Sequence, residues 1–227
     1  MANAKRGRMI SGIIVLIGAI LLFAAIAVPW YTVKFSEGSA SESINFYPGT
    51  PSQGGTIQYS CSSIPTCPSS TSYTGASPPL NNTGMIAETG FFLLIAGGVL
   101  GLIGALLAVA SRGNSRRARP AMALAVIALI IAIAAPSLYA VALPGAISKD
   151  MPKETGSGPW STFIGSNSTT GGASLNWGPA VGWYLAFGAF VVILIGLILL
   201  MRYRKDPAEP VPVAAPAAVP SAAPPTQ

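Results

Sequence analysis

FFLLIAGGVLGLIGALLAVA, residues 91–110, runs into SRGNSRRAR, residues 111–119, and then, after Pro120, into AMALAVIALIIAIAAPSLYAVAL, residues 121–143. Each apolar run has the length a helix needs to cross about 30 Å of hydrocarbon. The turn between them holds Arg112, Arg116, Arg117 and Arg119 and no acid. A cation costs about 2.5–3.5 kcal/mol at the bilayer centre, so this turn stays in water. Positive charge beside a span marks the cytoplasmic side, which makes these four arginines topology-determining.

Outward from this hairpin the same logic recurs. Residues 1–8 form a basic arm with Lys5, Arg6 and Arg8, and residues 9–29 contain no charge. A basic start, an apolar stretch and Ala25-Ile26-Ala27 also resemble a cleavable signal. The run exceeds the usual signal core of about 7–15 residues, which favours an uncleaved first span over 9–29. Further spans are expected over 86–110, 121–143 and 179–201, with Arg202, Arg204 and Lys205 ending the last. The turn 111–120 and the Pro/Ala-rich tail 202–227 fall inside, the tail expected to be disordered. Loops 30–85 and 144–178 fall outside. The reading is an all-α membrane protein, a left-handed four-helix transmembrane bundle with both termini cytoplasmic.

Composition agrees. Of 227 residues, 51% are hydrophobic and 9% charged, against about 25% charged in soluble domains. Mean hydropathy is +0.57. The net charge of +6 clusters beside apolar runs, without the basic helix or interleaved aromatics of a nucleic-acid binder.

The first outer loop alternates in the strand manner over Tyr31–Phe35, Ser43–Tyr47 and Thr56–Cys61, with Gly38-Ser39 and Pro48–Pro51 as turns. A small extracellular antiparallel β-sheet follows, to which Trp160–Ile164 of the second loop would add a strand. Cys61 and Cys67 are the only cysteines. Two close thiols in an oxidising compartment read as a disulfide, with about 2 kcal/mol from closing so short a loop. A metal site is the poorer alternative for two thiols without histidine. Asn81-Asn-Thr83 and Asn167-Ser-Thr169 are sequons on the outer side, consistent with glycosylation at Asn81 and Asn167.

Gly97, Gly101 and Gly104 share one face of the second span, and Gly178, Gly182 and Ala186 make a second small-residue stripe near the outer end of the fourth. Such residues let helix backbones approach closely, within the bundle or against another copy. Pro136-Ser137 is expected to kink the third span, with the hydroxyl answering a freed carbonyl. Glu88, just before the second span, reads as an interfacial carboxylate.

The chemistry of common enzymes is missing. Histidine is absent, and no Asp, Glu, Lys or Arg lies in the middle of a span. Coupled transporters and voltage sensors usually need such residues. No phosphate-binding loop, zinc-helix motif or nucleophile elbow occurs. The expectation is a non-enzyme without cofactor, metal or nucleic acid, whose partners are the lipid bilayer and itself or other membrane proteins.

Trp30 just after the first span, the cysteine pair Cys61 and Cys67, and the order of long outer loop, short inner turn, shorter outer loop and inside tail resemble the claudin-like and peripheral-myelin-protein-like tetraspan group. Two features depart from it. Gln58-Tyr59-Ser60 stands where that group has Gly-Leu-Trp, and the cysteine spacing is shorter. The resemblance implies a plasma-membrane protein with a structural, adhesion or lateral-assembly role at the cell surface. The alternatives are an accessory subunit of a membrane enzyme or transport complex and, third, a small pore or transporter.

Overall fold

In an apolar segment every backbone amide must find a partner within its own chain, and a helix supplies one for each. The computed structural model, which describes residues 2–49, 56–62, 70–76, 79–111, 118–151, 162–168 and 172–203, has four such helices. They are α1 (Ala2–Ile26), α2 (Asn81–Ala110), α3 (Ala118–Asp150) and α4 (Val181–Arg202). All four are long and apolar enough to cross a membrane.

Their bounds differ from expectation at the ends. α1 already includes Lys5, Arg6 and Arg8, and it stops at Ile26, ahead of Pro29. α2 starts at Asn81, so Glu88 lies two turns inside it. α3 passes through both Pro136 and Pro144 and ends at Asp150 instead of Leu143. Proline removes one backbone donor and crowds the carbonyl four residues back. Beyond Pro144 the helix is held by buried Ala146 and Ile147 and by the carboxylate of Asp150, described below. Ser137 is exposed on the outside of α3.

The helices pack as a ring. α1 lies against α2 and α4, α3 lies against α2 and α4, and the diagonal pairs barely touch. Small residues face inward. On α3 these are Ala121, Ala125, Ala128, Ala132 and Ala135; on α2 they are Gly97, Gly101, Gly104 and Ala108. A methyl on Gly101 would sit 3.2 Å from the Ala19 Cβ and 3.7 Å from that of Ala128. Large aliphatics face outward, among them Ile17 and Ile20 of α1, Leu106 of α2, Ile130 of α3 and Ile198 of α4. Small inside and large outside suits a hydrocarbon surround, where close van der Waals approach holds helices together.

Six strands lie at one end of the ring: β1 (Tyr31–Glu37), β2 (Ala40–Phe46), β3 (Thr56–Cys61), β4 (Ser70–Ser72), β5 (Gly165–Ser168) and β6 (Ser174–Pro179). Their order is β4-β3-β2-β1-β6-β5, and every pairing is antiparallel. Gly38, at φ +57°, makes the tight β1–β2 turn. The three expected strands are present, β3 with the expected bounds and β2 from Ala40 to Phe46.

The second loop adds two strands, displaced from the expected place. Trp160 and Ser161 lie outside the described residues, Phe163 and Ile164 precede β5, and the strand that docks on β1 is β6. Gly178 therefore belongs to the sheet, opposite Thr32, and not to the fourth-helix stripe. The pairing of Ser174-Leu-Asn-Trp-Gly-Pro179 along the open edge of β1 outweighs the helical period read for it.

Candidate functional site at the helix–sheet junction

The last carbonyls of a helix have no intrahelical partner. At the end of α1 one of them, on Ala25, accepts a hydrogen bond of 2.7 Å from the Trp30 indole. Pro29 cannot continue the helix, and Trp30 turns back beneath it, wholly buried. The Trp30 amide donates to the Phe46 carbonyl at 2.8 Å, and its carbonyl accepts from the Ala180 amide at 3.0 Å. The Gly182 amide donates to the Pro29 carbonyl at 2.8 Å. One tryptophan thus joins α1, β2 and the start of α4.

Glycines make this junction fit. A side chain at Gly182 would fall inside the Trp30 ring. A methyl at Gly90 would lie 2.6 Å from the ring of Tyr139, which rests on Trp30 at a centroid distance of 4.7 Å. Tyr31 meets Phe46 at 5.8 Å and Phe163 at 5.5 Å, and Phe46 stacks on Tyr73 at 6.4 Å. Trp183 reaches from α4 to α3, donating to the Pro136 carbonyl at 2.9 Å. Burial pushes the phenols of Tyr31 and Tyr73 well above the usual tyrosine range. Both stay neutral, and Tyr73 donates to the Tyr47 carbonyl at 2.8 Å. The Tyr31 and Tyr139 hydroxyls are buried without a partner among the described residues.

A second tie joins α2 and α3. The first amides of a helix are open donors, and those of Asn82 and Thr83 are answered by Asp150. One carboxylate oxygen accepts from the Asn82 amide at 3.0 Å and from the Asn82 side chain at 2.6 Å; the other accepts from the Thr83 amide at 2.7 Å. A carboxylate there also complements the positive end of the α2 dipole.

Of the residues singled out from the sequence, Gly97, Gly101, Gly104, Gly182 and Ala186 pack inside the chain's own bundle. The within-bundle alternative describes them, and none is left on an outer face. Cys61 ends β3 opposite Glu42; Cys67 lies outside the described residues, as do Arg112, Arg116 and Arg117. Arg119 is exposed near the start of α3, at the end of the ring away from the sheet; Lys5, Arg6 and Arg202 are exposed at the same end, and Arg8 is buried there. Asn81 is exposed, but Thr83 of its tripeptide is fully buried in the first turn of α2. Asn167 is exposed on β5; Thr169 lies outside the described residues.

Sequence reading missed the alanine face of α3, the Asp150 tie and the role of Trp177. The alanines recur at 121, 125, 128, 132 and 135, a helical period visible in the chain. Asp150 carried no such signal, because its partners lie 67 and 68 residues away. Trp177 is buried, donates to the Thr162 carbonyl at 3.1 Å and occupies the space a side chain at Gly165 would need.

The junction is apolar and closed, a device for joining elements. Among the described residues no three of His, Cys, Asp and Glu come together to hold a metal. No protein-family model matches the chain, and no curated protein matches it significantly.

Proposed function

We propose that the chain is a non-enzymatic four-span protein of the plasma membrane, with cytoplasmic termini and an extracellular sheet, serving a structural, adhesion or lateral-assembly role at the cell surface. The observation that carries this is the segregation of charge and fold. Lys5, Arg6, Arg8, Arg119 and Arg202 stand at one end of the ring, and the sheet at the other. Basic ends stay on the cytoplasmic side, which turns the sheet outward. In that compartment Cys61 and Cys67 pair, and Asn167 is the sequon better disposed for glycosylation.

Resemblance to the claudin-like tetraspan group is retained as part of this proposal. It is supported by the placement of Trp30 at the junction and by the layout of four apolar helices with a small sheet. The helix stripes are occupied internally, so contacts with other copies or neighbours fall to the sheet and the aliphatic outer faces.

The test is a tag inserted at Asn114. It should be labelled only after cells are permeabilised; labelling of intact cells would invert the topology. Mass measurement in mild detergent then separates the roles. Homo-oligomers support lateral assembly, whereas a fixed set of unrelated subunits supports the accessory-subunit alternative.

A further inference from the structure

Side chains on a strand alternate between faces, and here the alternation separates two chemistries. Tyr31, Val33, Phe46, Ile57 and Trp177 lie on one face and are buried. The register sets the other face in rows. Asn176, Lys34, Ser43 and Ser60 stand side by side across β6, β1, β2 and β3. Ser174, Ser36 and Ser41 make the next row, and Gly178, Thr32, Asn45 and Gln58 the row before it. The face is thus hydroxyl and amide groups about 4.8 Å apart across strands and about 6.7 Å apart along them, with Lys34 as its cation. Between β1 and β3 it carries a hollow of ≈310 Å³, lined from this face by Lys34, Ser36, Ser41, Ser43, Ser60 and Ser62, with Glu42 and Cys61 also contributing.

We propose that this hollow binds a sugar bearing a carboxylate, with Lys34 opposite the carboxylate and the serines on the sugar hydroxyls. Five observations carry the choice. Each serine hydroxyl both donates and accepts, as a sugar hydroxyl does. Lys34, Ser36, Ser43 and Ser60 make no side-chain bond to another described residue, so their valences are open to a ligand. A polyanion such as nucleic acid requires several cations; the lining has Lys34 as its single cation, and Glu42, one position along β2 from Ser41 and Ser43, alternates to the other face. A protein partner requires aromatic or aliphatic anchors; the lining of the hollow has none, and Ile164 and Tyr47 stand at the margins of the face, over Gly178 and Gln58. The volume stands at the lower end of ligand pockets, about 300 Å³, fitting one or two sugar rings.

This inference deepens the adhesion role and rests on it only for the side of the membrane on which the ligand is met. The test titrates the full chain in lipid nanodiscs, by calorimetry, with a short oligouronate, with its methyl ester and with inorganic sulfate. The expected result is saturable binding of the oligouronate and at least ~10-fold weaker binding of the ester. Sulfate should not compete at equal concentration. Lys34→Ala should weaken binding ~10-fold with an unchanged unfolding midpoint, and Lys34→Arg should keep it within ~3-fold. No saturable binding, equal binding of acid and ester, competition by sulfate, or an indifferent Lys34→Ala each overturns the proposal. Because the purified protein is used, sheet orientation does not enter. Uronate binding by a protein whose sheet proves to face the cytoplasm would leave the site standing and remove the adhesion role.

Discussion

The middle of the bundle and its sheet end are packed by opposite means. In the middle, Gly101 of α2 meets Ala19 of α1 and Ala128 of α3, and the helices touch nearly backbone to backbone. At the sheet end Trp30, Tyr31, Phe46, Tyr73 and Tyr139 fill the space between elements. The difference follows from the solvent each region is built for. In hydrocarbon, large side chains gain nothing by turning inward, so close approach of small ones is what joins helices. Beside water, burying a large aromatic is itself favourable, by roughly 25 cal/mol per Å². Glycine serves both regions differently. It brings two helices together in the first and makes room for a ring in the second.

Four substitutions and one control would break or sharpen that contrast. The largest effect belongs to Trp30→Ala, which empties the junction and frees the Ala25 carbonyl; a loss of about 3–5 kcal/mol is expected in detergent unfolding. A loss below about 1 kcal/mol would mean the sheet is not anchored there. Next comes Gly101→Leu, which forces α1, α2 and α3 apart and should cost about 1–3 kcal/mol. Its control, Ile130→Ala on the outer face, should stay within about 0.5 kcal/mol. Equal effects from the two would show that the middle is not packed through its small residues.

Asp150→Ala removes the acceptor for two open amides of α2 and should cost about 1 kcal/mol, with faster hydrogen exchange at the start of that helix. Unchanged exchange at Asn82 and Thr83 would refute the tie. The smallest effect is expected for Tyr139→Phe. The hydroxyl is buried with no partner among the described residues, so its removal should be neutral or slightly stabilising. A loss above about 1 kcal/mol would reveal a partner for it.

What could be read from the sequence divides along the same line. The spans were legible because hydrocarbon imposes one simple rule on composition. The three first-loop strands were legible because Tyr31–Phe35 and Thr56–Cys61 alternate. Helix ends were less so: Pro144 reads as a terminator, and burial of Ala146 and Ile147 together with the Asp150 tie keeps α3 going. Gly178 failed for a related reason. Small residues recur in both packed helices and strands, and the free edge of β1 that claims it appears only in three dimensions. The polar face was hidden for the same cause, since Lys34, Ser43, Ser60 and Asn176 come from four separate stretches. The junction was half visible: Trp30 stood out, but its partners Tyr139, Gly90 and Gly182 are scattered through three helices.

The burial of Thr83 has a consequence for the order of events during synthesis. Any transferase that reads Asn81 together with Thr83 needs that tripeptide unwound, yet the first turn of α2 is closed by a residue near the end of α3. On the proposed extracellular placement, sugar on Asn81 would have to be attached in the interval before α3 is complete. On that proposal, occupancy of Asn81 would act as a clock, recording how quickly the α2–α3 hairpin shuts.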